Sequence, residues 1–91
     1  MVEEPDEHDL IFVGANDLPQ YHRMAMDQAT TNDIAKLREP GDKWVIQKVS
    51  GYWEVYLLST LKMQFGTYTI GIPKITVEDF DAALAWAFLN L

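Results

Sequence analysis

Two histidines, two serines and a group of carboxylates are the residues in this chain whose chemistry suits catalysis or metal binding. His8 stands in Glu7-His8-Asp9, a combination that attracts a divalent cation only weakly when no fold fixes its geometry. His22 has Asp17 and Asp27 five residues to either side, which is not the i, i+3 or i, i+4 spacing that shares a helix face. Ser50 and Ser59 have no histidine nearby in sequence and no Gly-x-Ser-x-Gly frame, so the positioned base of a serine nucleophile is not signalled. Glu78, Asp79 and Asp81 cluster where a helix is expected to begin, and the helix dipole already accounts for acids there. There is no cysteine, which removes disulfides, thiolate metal sites and thiol nucleophiles together. No glycine-rich loop precedes a helix, so phosphate cradling is not indicated. The sequence therefore assigns no catalytic, cofactor or metal residue. A small enzyme would need a constellation assembled only in three dimensions.

Binding chemistry is better represented. Residues 43–75 are locally basic, with Lys43, Lys48, Lys62 and Lys74 set against Glu54 alone. Tyr52, Tyr56 and Tyr68 are interleaved with them. A cationic groove with aromatic platforms is how single-stranded nucleic acid is held. Against that stand a net charge of −7 and the absence of arginine after Arg38, since an acidic protein repels phosphate at long range. The same aromatic residues are also ordinary sheet formers, so a protein partner is the favoured reading and nucleic acid the alternative.

The elements that must position these groups fit one domain. A chain of 91 residues, 48% hydrophobic, supports one core and not two. Residues 1–9 hold Glu3, Glu4, Asp6, Glu7 and Asp9 with no base, and read as a flexible acidic tail before a domain spanning 10–91. An acidic start is unlike a targeting peptide, and no apolar run approaches the roughly 18 residues of a membrane span. The expected location is the cytoplasm.

Leu10-Ile11-Phe12-Val13 reads as a buried strand ended by Gly14. Asn16 and Asp17 offer a cap, with Pro19 in the first turn, for a helix carrying Leu18, Tyr21, Met24, Ala25 and Gln28. Thr30-Thr31-Asn32 interrupts or re-caps it before a short helix with Ile34 and Leu37, stopped by Pro40-Gly41. Trp44–Val49 and Tyr52–Leu58 form a hairpin about Ser50-Gly51. A two-residue loop sets Val49 opposite Tyr52, Lys48 opposite Trp53, Ile46 opposite Val55 and Trp44 opposite Leu57. Trp44, Ile46, Val55 and Leu57 then share the buried face, and Val45, Gln47, Tyr52, Glu54 and Tyr56 the other. Between 61 and 72 the apolar parity flips at Gly66, which means one bent strand or two short ones.

A last helix is expected to start at a Thr76 cap, with Ile75 and Phe80 as a staple across it. Val77, Phe80, Leu84, Ala87, Phe88 and Leu91 make one apolar stripe, which docks on the sheet. Ala82, Trp86 and Leu89 make a second. Either the N-terminal helical region sandwiches that second stripe, or a partner covers it, most simply a second copy in an isologous dimer.

Trp44-Val45-Ile46, Tyr52-Trp53-Glu54-Val55 and the run from Thr76 to Ala83 together resemble, in outline, small orphan proteins carried by bacteriophages of actinobacteria. The resemblance spans residues 44–86 and rests on fold-determining positions. It implies an accessory or host-acting protein with no known active site. The sequence thus predicts an α+β fold: an antiparallel sheet of three to four strands, a helical region after the first strand, and a C-terminal helix on the sheet. The function expected is non-catalytic protein binding, with Tyr52 and Tyr56 on the sheet and Ala82, Trp86 and Leu89 on the helix as the contact residues.

Overall fold

The computed structural model describes residues 4–15, 21–38, 41–65 and 67–91. The expected cap at Asn16 and Asp17, with Leu18 and Pro19, the stop at Pro40 and the flip at Gly66 lie outside them. The fold is α+β, built on a five-stranded antiparallel sheet in the order β2-β1-β3-β4-β7. Its strands are β1 (Leu10–Gly14), β2 (Tyr21–Met24), β3 (Asp42–Val49), β4 (Tyr52–Leu57) and β7 (Ile75–Val77). A separate two-stranded ribbon pairs β5 (Lys62–Gln64) with β6 (Thr67–Thr69), and the helices are α1 (Thr31–Leu37) and α2 (Phe80–Leu89).

Both faces of the large sheet are covered. On one, Ile11, Val13, Trp44, Ile46, Trp53 and Val55 pack against Phe80, Ala83, Leu84 and Ala87 of α2. On the other, Leu10, Phe12, Val45 and Tyr56 pack against Ile34 of α1, Leu58, Leu61 and Tyr68 of β6. Burial from two sides explains why β1 is a continuous apolar run in place of an alternating one, and its residues Leu10 to Val13 are all fully buried.

The hairpin has the expected register throughout, from Val49 opposite Tyr52 to Trp44 opposite Leu57. Ser50 and Gly51 both take positive φ, 53° and 85°, the backbone of the primed turn whose twist suits two antiparallel strands. Between 61 and 72 there are two short strands, β5 and β6, joined across a turn in which Phe65 has φ 54°.

Four expectations change. Tyr21–Met24 is strand, not helix. The spacing of Tyr21, Met24 and Ala25 suits a helix, but β1 is buried on both faces, and its second edge needs hydrogen-bond partners that only another strand supplies. Ile75–Val77 is likewise a strand, closing the outer edge of β4, so Thr76 is not a cap. The helix begins at Phe80, with Asp79 as an N-cap whose side chain makes no capping bond. The helical region that follows the first strand is α1 with a single turn of 3-10 helix at Met26–Gln28. Thr30 caps α1: its hydroxyl accepts from the Asp33 N–H at 3.2 Å and donates to the Asp33 carboxylate at 2.9 Å, a reciprocal arrangement close to a capping box.

The third change is Gln47, placed by parity on the open face yet only 6% exposed. Its side-chain amide donates to the His8 carbonyl at 3.5 Å and lies 3.8 Å from the Met26 sulfur. The fourth is the acidic segment. Over residues 4–9, Pro5 is buried, the His8 N–H donates to the Lys48 carbonyl at 3.2 Å, Glu4 pairs with Lys48 at 3.4 Å and Asp9 with Arg23 at 3.6 Å. These contacts hold the segment along the sheet, while Glu4, Asp6, Glu7 and His8 stay exposed to solvent.

Candidate protein-docking site

Helix α2 reads Phe-Asp-Ala-Ala-Leu-Ala-Trp-Ala-Phe-Leu, with Asp81 its only charged residue. A surface helix ordinarily presents charged or polar groups opposite its buried stripe. Here the buried stripe is Phe80, Ala83, Leu84 and Ala87, while the outward side carries Asp81 at its start and then Ala82, Ala85 and Leu89, all exposed. Leu89 is 84% exposed. Ala82, Ala85, Trp86 and Leu89 stand at i, i+3, i+4 and i+7, the spacing of a contact stripe for another helix or surface.

Trp86 forms one flank of that stripe. It is half-buried, with its ring edge-on to Trp44 at 4.8 Å between centroids and 70° between planes. Trp44 projects from β3 because its parity matches Ile46, so the sheet fixes the surface on which Trp86 rests. The C-terminal end of α2 is tied down at the same place. The Asn90 carbonyl accepts from the Lys43 ammonium at 2.7 Å and from the Trp44 indole N–H at 3.3 Å. Lys43 also lies 5.1 Å from the Trp44 ring centroid. A cation at this end of a helix offsets the negative end of its dipole.

The five residues singled out from the sequence do not form one surface. Tyr52 and Tyr56 belong to the face opposite α2, because they alternate with Trp53 and Val55 on β4. Tyr52 is 49% exposed beside the hairpin turn. Tyr56 is a correction: its ring is buried, and its hydroxyl donates to the Glu54 carboxylate at 2.6 Å. Burial first, and the Glu54 carboxylate second, hold that phenol well above the usual tyrosine range. Tyr68 is buried as well, donating to the Met26 carbonyl at 2.9 Å. The row of tyrosine platforms considered for nucleic acid is therefore not assembled. Helix α1 packs on the far face of the sheet, so it does not sandwich the Ala82–Trp86–Leu89 side of α2. Ala85 was not singled out from the sequence, although the i+3 position of the stripe points to it. Lys43 was singled out only as part of the basic segment, and no local pattern places it at the end of α2.

Other surface features are less organised. An open groove of about 480 Å³ lies between α1 and β5, lined by Ile34, Arg38, Lys62 and Met63 among others. The Arg38 guanidinium there is committed to the Leu61 and Ser59 carbonyls at 3.0 and 3.4 Å. Phe65 and Ile72 are exposed, as single apolar side chains on surfaces commonly are. Among the described residues no group of three or more His, Cys, Asp or Glu has the arrangement to hold a metal, and no helix is long and apolar enough to cross a membrane.

Comparison of the chain with protein-family models, with curated proteins and with solved structures finds no match.

Proposed function

We propose that this protein is a non-catalytic interaction module that binds a protein partner through the outward side of α2. The observation that carries the reading is the helix itself: ten residues with one charge, packed on a sheet by one side and apolar on the other. Continuous exposed apolar stripes mark interaction surfaces, whereas isolated apolar residues do not. The two sides differ in kind. The buried one holds large side chains, Phe80 and Leu84, while the outward one sets the small Ala82 and Ala85 beside Leu89, a relief into which a partner's side chains fit. Trp86 at the flank adds the residue type most often dominant in binding energy. Because the stripe is uncharged, affinity through it changes little with salt, in contrast to phosphate binding, which weakens steeply.

The test is capture from bacterial lysate by the immobilised full chain, beside a Leu89→Glu variant whose fold is verified by circular dichroism. The reading requires a protein, either from the lysate or added purified chain, that is retained by the parent in high salt and lost from the variant. Retention of nucleic acid that is eluted by salt would favour the alternative of a nucleic-acid binder.

A further inference from the structure

Resting on the reading of α2 as the docking face, we infer that its occupant is a second copy of this chain, with the two α2 helices antiparallel about a two-fold axis. An isologous contact requires self-complementarity, in which residue i meets j and j meets i. The outward stripe has this property about a point between Ala85 and Trp86. An antiparallel partner centred there sets Ala82 opposite Leu89 and Ala85 opposite Trp86, and repeats both pairs across the axis. Each pair is small against large, the condition for side chains to interdigitate without voids. The two alanines also let the helix backbones approach closely.

Charge follows the same symmetry. Asp81 lies next to Ala82 and so comes opposite Asn90 of the other copy. In this fold Asn90 is where Lys43 is held, its ammonium 2.7 Å from the Asn90 carbonyl. Each end of the helix pair thus brings an exposed aspartate to a half-exposed lysine. A parallel arrangement would set Asp81 against Asp81 and Lys43 against Lys43. The net charge of −7 opposes self-association at long range, and the helix meets that by carrying no charge between Asp81 and its C-terminal end. The contact is small by the standard of stable dimers, so association is concentration-dependent.

Two measurements on the full chain test this. In sedimentation equilibrium the parent is expected to move from the chain mass toward twice that mass as concentration rises to millimolar. Ala85→Glu, which puts a carboxylate beside the axis on an exposed helix position, is expected to stay at the chain mass with an unchanged circular dichroism spectrum. The register is read by cysteine pairing, since the chain has no cysteine of its own. With oxidised glutathione as oxidant, A82C mixed with L89C should form the mixed disulfide at least tenfold faster than either variant pairs with itself. A parent that remains at the chain mass at millimolar concentration, or a dimer indifferent to Ala85→Glu, overturns the second-copy inference. If such a monomeric parent still captures another protein in an Ala85-dependent manner, the docking face stands and only its occupant was misassigned. If it captures nothing, both readings fall.

Discussion

The Trp86 ring stands edge-on to Trp44 with centroids 4.8 Å apart, and this contact joins the outward stripe of α2 to the first residue of the hairpin's buried face. Trp44 is 5% exposed, so truncating it removes a full core side chain. Trp44→Ala should cost about 3–5 kcal/mol. The half-buried Trp86 should cost less, about 1–2 kcal/mol on truncation to Ala, because part of its area is already in water. A double-mutant cycle in urea should return a coupling of about 0.5–1.5 kcal/mol, the range for an aromatic pair beyond its area burial. Strict additivity would mean that the two rings do not interact in solution.

Gln47 and Ile46 are neighbours on β3 that sequence parity assigns opposite fates, yet both are buried. Ile46→Ala should cost about 2–5 kcal/mol through the cavity it leaves. Gln47→Ala should cost about 1–2 kcal/mol, more than an exposed strand position, because the His8 carbonyl loses its donor. Urea denaturation of the two variants reads both values. An unaffected Gln47→Ala variant would return that residue to the solvent side.

The acidic segment also has a stability consequence. Deleting residues 1–8 takes away the buried Pro5, the Glu4–Lys48 pair and the backbone bond from His8 to Lys48. It also relieves repulsion among carboxylates, so the net loss should be modest, about 1–2 kcal/mol. Thermal unfolding of the truncated chain checks it. An equal or higher midpoint would show that residues 4–8 contribute nothing.

Tyr68 sets an alkaline limit. Burial first, then the carboxylates of Asp27 and Asp33, push its phenol up to about 12. A folded pKa raised above the unfolded value of roughly 10 gives stability that is complete below that value and is lost as pH climbs toward the folded one. Unfolding free energy should therefore fall between about pH 10 and 12. Tyr68→Phe should show a shallower decline over the same range, at the cost of the bond to the Met26 carbonyl. An identical slope in the variant would assign the alkaline loss to other groups.

The hairpin was fully legible in the sequence because two independent signals, turn chemistry at Ser50-Gly51 and alternation on both strands, agree on one register. The edge strands were not. Tyr21–Met24 and Ile75–Val77 are four and three residues long, too short for periodicity to separate strand from helix. What makes them strands is the need of β1 and β4 for partners at their outer edges, a tertiary demand with no local trace. The second stripe of α2 was visible from spacing alone. Its exposure was not, since that depends on α1 packing on the opposite side of the sheet. Tyr56 failed as a contact residue for a related reason: the face it shares with Tyr52 packs against Leu58, Leu61 and Tyr68, which bury Tyr56 and leave Tyr52 beside the turn half exposed, and parity cannot tell the two apart.

The outward side of α2 is the centre of this account, and site-directed photo-crosslinking tests it most directly. A benzophenone side chain at position 85, on the crest of the helix, is compared with one at position 69, an exposed residue of β6 in the ribbon. Each is irradiated with the purified chain at millimolar concentration and in bacterial lysate. A protein adduct is expected from position 85, to a second copy or to another chain, that disappears when Leu89→Glu is added, with no adduct from position 69. Equal adducts from both positions, or none from position 85 under either condition, would contradict it.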